Sequence, residues 1–260
     1  IRNVENLSGS DVNGTDTLVG NAGANRIDGR IGDDSIVGGG GDDSLTGGAG
    51  NDTLVGGTQT NFDFADYGGT TTPVVANLTT GVATGDGTDT LIDLEGVIGG
   101  SGNDAITGND AAVNWFWPGL GDDTVDGAGG DDFIAYDNQG AAITLTFTSP
   151  GTGTATGMGT DSFTNVERAV GGNANDTFTG SSGDEVLRGG PGNDSLNGAG
   201  GTDWVDYFTA TSGVTVDLAT NRASGGHGDD TLAGFENISG SNTAADDLLG
   251  NATANWIVAR

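Results

Sequence analysis

The chain has no cysteine, no lysine and a single histidine in 260 residues. Without cysteine there is no disulfide framework, which is compatible with secretion without requiring it. Without lysine, every positive charge is an arginine: Arg2, Arg26, Arg30, Arg168, Arg188, Arg222 and Arg260. These seven face 37 acidic residues, for a formal net charge of −30. Nucleic acid is therefore excluded as a partner, because phosphate binding needs clustered Lys and Arg. No apolar run approaches the length of a transmembrane span. No charged segment followed by an apolar one opens these residues, so no signal peptide is visible in them. Apolar residues make up only 33%, low for a globular domain. A compact chain with this charge repels itself. Either it is disordered, or a cation completes the fold.

What is present decides between the two. From Asp11 the chain divides into consecutive nines: DVNGTDTLV, GNAGANRID, GRIGDDSIV, GGGGDDSLT and GGAGNDTLV. Position six reads Asp16, Asn25, Asp34, Asp43, Asp52, and position eight reads Leu18, Ile27, Ile36, Leu45, Leu54. A second run from Gly171 has Asp176, Glu185, Asp194 and Asp203 at position six. A third holds GGSGNDAIT with Asp104, the ten-residue stretch GNDAAVNWFW, then PGLGDDTVD and GAGGDDFIA with Asp123 and Asp132. A disordered chain does not keep an oxygen ligand and an apolar residue in fixed phase for so long.

The nonapeptide has a readable physics. Positions one to six form a turn in which glycine lets backbone approach an ion closely. Positions seven to nine form a short strand whose middle side chain points inward. Two nines make one coil, so repeat n stacks on repeat n+2 at about 4.8 Å. Stacked position-six carboxylates then bracket one gap, together with turn carbonyls. Six to eight hard oxygens at about 2.3–2.6 Å are what calcium takes. Asp34 with Asp52, Asp176 with Asp194, and Glu185 with Asp203 are such pairs; Asn25 with Asp43 is a weaker one.

GGAGNDTLV and GGPGNDSLN resemble the RTX (repeats-in-toxin, hemolysin-type) calcium-binding nonapeptide GGxGxDxUx. The resemblance is clearest over residues 11–57, 99–135 and 171–206. It implies an all-β fold, a parallel β-roll or β-solenoid stabilised by several calcium ions. It also implies secretion by a Gram-negative bacterium, with folding outside the cell. The metal-ligand set expected on these grounds is Asp16, Asp34, Asp43, Asp52, Asp104, Asp123, Asp132, Asp176, Glu185, Asp194 and Asp203, extended to Asp89, Asp161, Asp230 and Asp247.

The stretches between the runs resemble one another. Residues 74–91, 143–163 and 214–232 each show alternating apolar residues, a polar turn, then a glycine-rich turn with Asp89, Asp161 or Asp230. Alternation predicts strands longer than the nonapeptide's, with a reversal between them. A tyrosine precedes each stretch (Tyr67, Tyr136, Tyr207) and a glutamate follows (Glu95, Glu167, Glu236); Glu5 stands at the same place in an earlier element. The glutamates are expected to accept hydrogen bonds from backbone at module junctions, with calcium ligation the other reading. The tyrosines are expected to pack where the coil changes shape. Tyrosine spacings of 69 and 71 and glutamate spacings of 90, 72 and 69 predict units 1–91, 92–163, 164–232 and a partial 233–260. Whole-coil insertion explains the longer first unit.

Other features weigh less. Fifth-position Asp33, Asp42, Asp122, Asp131 and Asp229 are expected to face solvent. His227 reads as an exposed turn residue, and no nucleophile elbow exists, so no catalytic residue is expected and the chain is read as a non-enzyme. Trp204 and Trp256 fall at position seven, pointing outward, and suit either strand shielding or a glycan or cell-surface contact. Trp115 and Trp117 lie in the ten-residue stretch that breaks phase, which makes it the best local candidate for a special contact. No capping sequence is seen at residues 1 or 260, which suggests a segment of a longer array or head-to-tail self-association. The expectation is a calcium-binding structural module of a surface-layer, fibre or adhesin-type protein. The alternative is the calcium-triggered export and folding region of a toxin or secreted hydrolase.

Overall fold

A computed structural model describes residues 5–57, 62–110, 113–137 and 140–259. All regular structure among them is β, and most strands pair in parallel. The chain forms two compact units, Ile1–Gly130 and Asp131–Arg260.

In the first unit one sheet stacks Asn6–Ser8, Arg26–Asp28, Ser44–Thr46, Phe64–Asp66, Gly96–Ile98 and Trp115–Trp117, all parallel. The opposite sheet stacks Thr17–Val19, Ser35–Gly39, Thr53–Gly57 and Thr88–Ile92. Ile36 pairs with Leu18 and Leu54, so repeat n does lie on repeat n+2. The second sheet then reverses twice, through Val82–Thr84 and Val75–Asn77, before parallel stacking resumes with Ala105–Thr107 and Thr124–Asp126. This is the inserted long-strand stretch, folded as two antiparallel hairpin steps.

The second unit repeats the plan. One sheet runs Phe133–Ala135, Arg168–Val170, Val186–Arg188, Trp204–Asp206, Asn237–Ser239 and Ile257–Val258. The other holds two antiparallel insertions, Thr144–Ser149 with Thr152–Thr156 and Thr160–Thr164, and Val214–Asp217 with Arg222–Gly225 and Gly228–Ala233. Between them lie the parallel strands Thr177–Thr179 and Ser195–Asn197, and Asp247–Leu249 follows.

The core is one side chain thick. Ile27, Ile36, Leu45, Leu54, Phe116, Val125, Ile134, Phe178, Leu187, Leu196 and Val205 are buried, one for each strand that supplies them. Flanking strand residues face out, giving the alternating burial of Ser44–Thr46 and its neighbours. On the outer face Trp115 and Trp117 stack at 5.4 Å, and Phe64 meets Trp117 edge-on at 5.0 Å. The tryptophans thus shield the strands that flank buried Phe116. Residues 111–112 of the phase-breaking stretch, and residues 1–4 and 260, lie outside the described residues.

A core this thin cannot redistribute a deletion. Leu45→Ala should lower unfolding free energy by about 2–5 kcal/mol, whereas Ser44→Ala, one residue earlier, should cost about 0.5–1.5 kcal/mol, the worth of its hydrogen bond to Asp66. Equal effects in denaturant titrations would contradict the single-layer core.

Candidate metal sites in a carboxylate ladder

The position-six side chains form a ladder. Along most of it, one carboxylate oxygen accepts the backbone N–H of the position-six residue one coil earlier. Asp34 N donates to Asp52 Oδ1 at 2.7 Å, Asp16 N to Asp34 at 2.8 Å, and Asn25 N to Asp43 at 2.8 Å. Asp104 N donates to Asp123, Asp176 N to Asp194, and Glu185 N to Asp203, at 2.7–2.8 Å. The glutamates at the junctions do the same: Glu95, Glu167 and Glu236 accept the N–H of Asp63, Asp132 and Asp203 at 2.9–3.1 Å. Their favoured reading as backbone acceptors matches these contacts.

The second oxygen divides the repeats into two kinds. In one, the N–H of position two closes onto it: Gly100 onto Asp104 and Gly172 onto Asp176 at 2.7 Å, and Ser181 onto Glu185 at 3.0 Å; Asp16 is closed instead by Ser10, six residues earlier, at 2.7 Å. In the other, position two is left-handed. Arg30, Gly39, Gly48, Gly190 and Ala199 have φ between 67° and 113°. The second oxygens of Asp34, Asp43, Asp52, Asp194 and Asp203 are then buried without a hydrogen-bond partner. Asp123 and Asp132 are buried in turns of the same shape, with Gly119 and Ala128 at position two. Glycine at position one is required by the close approach itself. A Cβ on Gly47 would lie 2.3 Å from Asp52 Oδ2.

A third group is closed by tyrosine. Tyr67, Tyr136 and Tyr207 donate their hydroxyls to Asp89, Asp161 and Asp230 at 2.7–2.8 Å. The tyrosines pack as expected; their hydrogen bonds are an addition. Asp247 is exposed on its strand, and the ladder position there belongs to Asp246, which accepts the N–H of Val214 at 2.9 Å and has a buried, unpartnered oxygen. The extra residue in that repeat moved its phase, so position six is Asp246. Asp63, Asn114 and Asn255 also occupy ladder places unnoticed in the sequence. The signal for all four is position: each stands two residues before the apolar residue of its strand. The fifth-position side chains form a second, exposed ladder of opposite sense, with Asn51 N donating to Asp33 and Thr202 N to Asp184. His227 is buried rather than exposed, and burial pushes its pKa down.

Electrostatics make the ladder costly. Burial is the main force raising the ladder carboxyls, and neighbouring carboxylates add to it. Asp52, beside Asp89 and Asp34, is pushed up to about 6, as is Asp43 beside Asp63. Asp194, beside Asp230 and Asp176, reaches about 7. Asp203, beside Glu185 and Glu236, reaches about 7 too. Among the described residues, the arginine ion pairs go to Asp11, Asp28, Asp66, Asp131 and Asp206, all outside the ladder.

A calcium ion fits this donor set. The open oxygens are hard, anionic and buried, and turn carbonyls surround them. No nitrogen or sulfur ligand that would favour zinc is offered. Among the described residues no three His, Cys, Asp or Glu side chains converge, so an ion would draw on fewer than three such side chains and take the rest of its oxygens from backbone.

Two expectations follow. A carboxyl whose pKa is raised by folding stabilises the fold when protonated, so that stability is present below about pH 4 and lost as pH rises through 6–7. In metal-free buffer the unfolding midpoint should therefore fall between pH 4 and pH 7; a rising midpoint would contradict the buried ladder. Separately, Ala199 at φ 67° carries a strain of roughly 1–2 kcal/mol that glycine lacks. Ala199→Gly should raise the stability of the calcium-loaded protein, as read by thermal unfolding.

The chain matches the family model of the RTX calcium-binding nonapeptide repeat (4 copies) over residues 12–45, 28–62, 97–112, 115–139 and 168–206. No curated protein matches it. The matched segments together span half of the chain and contain the open carboxylates Asp34, Asp43, Asp52, Asp194 and Asp203. The protein belongs to the RTX calcium-binding nonapeptide repeat family.

Proposed function

We propose that these residues form an extracellular structural module whose folding and rigidity are switched on by calcium, within a bacterial surface-layer, fibre or adhesin-type protein. The observation that carries this reading is the set of buried carboxylate oxygens with no partner, stacked against carboxylates of like charge. Without a cation the ladder opposes folding. A core one side chain thick offers little to offset the ordering entropy. When bound, calcium supplies the positive charge and accepts the open oxygens as ligands; Asp34, Asp43, Asp52, Asp194 and Asp203 would hold it, with Asp123, Asp132 and Asp246 as further holders. An ion that binds only the folded state adds about 2.7 kcal/mol per site at a hundredfold excess over Kd, so a few sites decide the outcome.

The modular plan favours a scaffold over a uniform export tail. Hairpin steps recur in both units and interrupt the nonapeptide runs. A partner contact is supported in the second unit, where Arg188, Asp206, Trp204 and Phe208 border a cleft of about 410 Å³ on the outer sheet face. Aromatic rings beside a paired arginine and carboxylate suit a saccharide or a cell-surface group. The same folding switch would serve an export region attached to a toxin or hydrolase. A catalytic or pore-forming domain encoded next to these residues would favour that second reading, and further hairpin-bearing repeats the first.

The switch is tested by far-ultraviolet circular dichroism. The chain should be largely unfolded in chelator at neutral pH and gain β-sheet signal cooperatively on calcium addition, with magnesium much less effective. Equal folding in chelator would remove the basis of the proposal.

A further inference from the structure

The three tyrosine–aspartate contacts are too regular to be packing alone. Tyr67, Tyr136 and Tyr207 each follow a ladder residue by four positions: Asp63, Asp132 and Asp203. Each backbone N–H then pairs with the carbonyl that ends a neighbouring strand, Ile98, Val170 or Ser239, at 2.8–2.9 Å. An ordinary repeat makes that same bond from its position-one glycine, as Gly29 N does to Thr46. Tyrosine therefore stands where the nonapeptide places glycine. It turns in and reaches the carboxylate at the end of the hairpin step, while its own ring is 1–4% exposed.

The contact uses up the oxygen that matters. Asp89 and Asp230 each give one oxygen to the N–H of the ladder residue before them, Asp52 at 3.0 Å and Asp194 at 2.9 Å. The other oxygen takes the phenol. In Asp52 and Asp194 the corresponding second oxygen is bare. A hydroxyl bonded to a carboxylate is a strong, directed contact. A cation that displaced it would leave a buried phenol hydroxyl with no acceptor.

We infer that the tyrosines are stops: each seals the carboxylate at which a run of nonapeptides meets a hairpin step, so that cations are held in the open repeats of each run and not at Asp89, Asp161 or Asp230. Where glycine holds position one, the residue at position two decides whether the carboxylate stays open; where tyrosine holds it, the phenol closes it. This divides the array into separate cation-binding blocks joined by hairpin steps that are satisfied by the protein's own hydrogen bonds. The inference rests on the calcium reading of the open carboxylates.

Counting bound ions tests it. Calcium per chain is measured by equilibrium dialysis and atomic emission, with folding of each variant in calcium verified by circular dichroism. Asn keeps an oxygen to accept the backbone N–H, and its amide nitrogen can donate to the tyrosine hydroxyl in place of the carboxylate oxygen that accepted it, so Asp230→Asn, and Asp161→Asn as its counterpart in the second unit's other hairpin, are expected to bind as many ions as the wild type. Asp194→Asn is expected to bind one fewer. Tyr207→Phe, which bares the second oxygen of Asp230, is expected to bind one more. Loss of an ion in Asp230→Asn or Asp161→Asn, or an unchanged count in folded Tyr207→Phe, overturns the inference while leaving the calcium reading standing. No loss in Asp194→Asn, or no ions on the wild type, overturns the calcium reading and the inference with it.

Discussion

Everything in this fold depends on burying a column of like charges. A parallel solenoid of nine-residue repeats must turn twice per coil, and each turn brings a position-six carboxylate directly over the one below. The backbone supplies part of the compensation, since each carboxylate accepts an N–H from the preceding coil. That bond holds the register between coils, but one neutral donor does not balance a buried negative charge. The raised pKa values of Asp52, Asp194 and Asp203 express the remainder. The arginine ion pairs with Asp11, Asp28, Asp66, Asp131 and Asp206 do not supply it.

Turn geometry then sets where that happens. A position-two residue with ordinary φ swings its N–H onto the second carboxylate oxygen and completes it. A left-handed residue directs the N–H away and leaves the oxygen bare. Three of the left-handed position-two residues, Arg30, Ala128 and Ala199, are not glycine, so the chain accepts backbone strain in turns of this shape. Strain held at such places usually accompanies function. Within the second unit the order is clear: Asp176 is closed by Gly172, Asp194 is open, and Asp230 is closed by Tyr207. The parallel column runs from Glu185, closed by Ser181, through open Asp203 to Glu236.

The hairpin steps serve a different end. Their longer strands bury Leu145, Phe147, Phe163, Val214 and Val216, giving apolar contact that the nonapeptide runs lack. The two kinds of segment therefore differ in what they bury: more apolar side chains in the hairpin steps, stacked carboxylates in the nonapeptide runs.

Sequence alone was enough for the repeat, its stacking period, the identity of the buried residues and the oxygen character of the sites. These follow from a pattern in fixed phase: an apolar residue every nine can only line one thin core, and a carboxylate two residues earlier must fall in the turn. The glutamates at the junctions were legible for the same reason. Where an extra residue shifts the phase the sequence reading fails: Asp247 is expected, and Asp246, two residues before Leu248, holds the place. Tertiary structure alone decided which carboxylates stay open. GGSGND around Asp104 and GGPGND around Asp194 differ by one residue in the turn, yet only the second has a left-handed position two. Pro191 restricts the Gly190 before it, but Gly39 and Gly48 are left-handed without a following proline, so no single turn residue marks an open repeat. The tyrosine contacts were equally hidden, because Tyr67 and Asp89 are 22 residues apart and meet only once a hairpin step has folded between them.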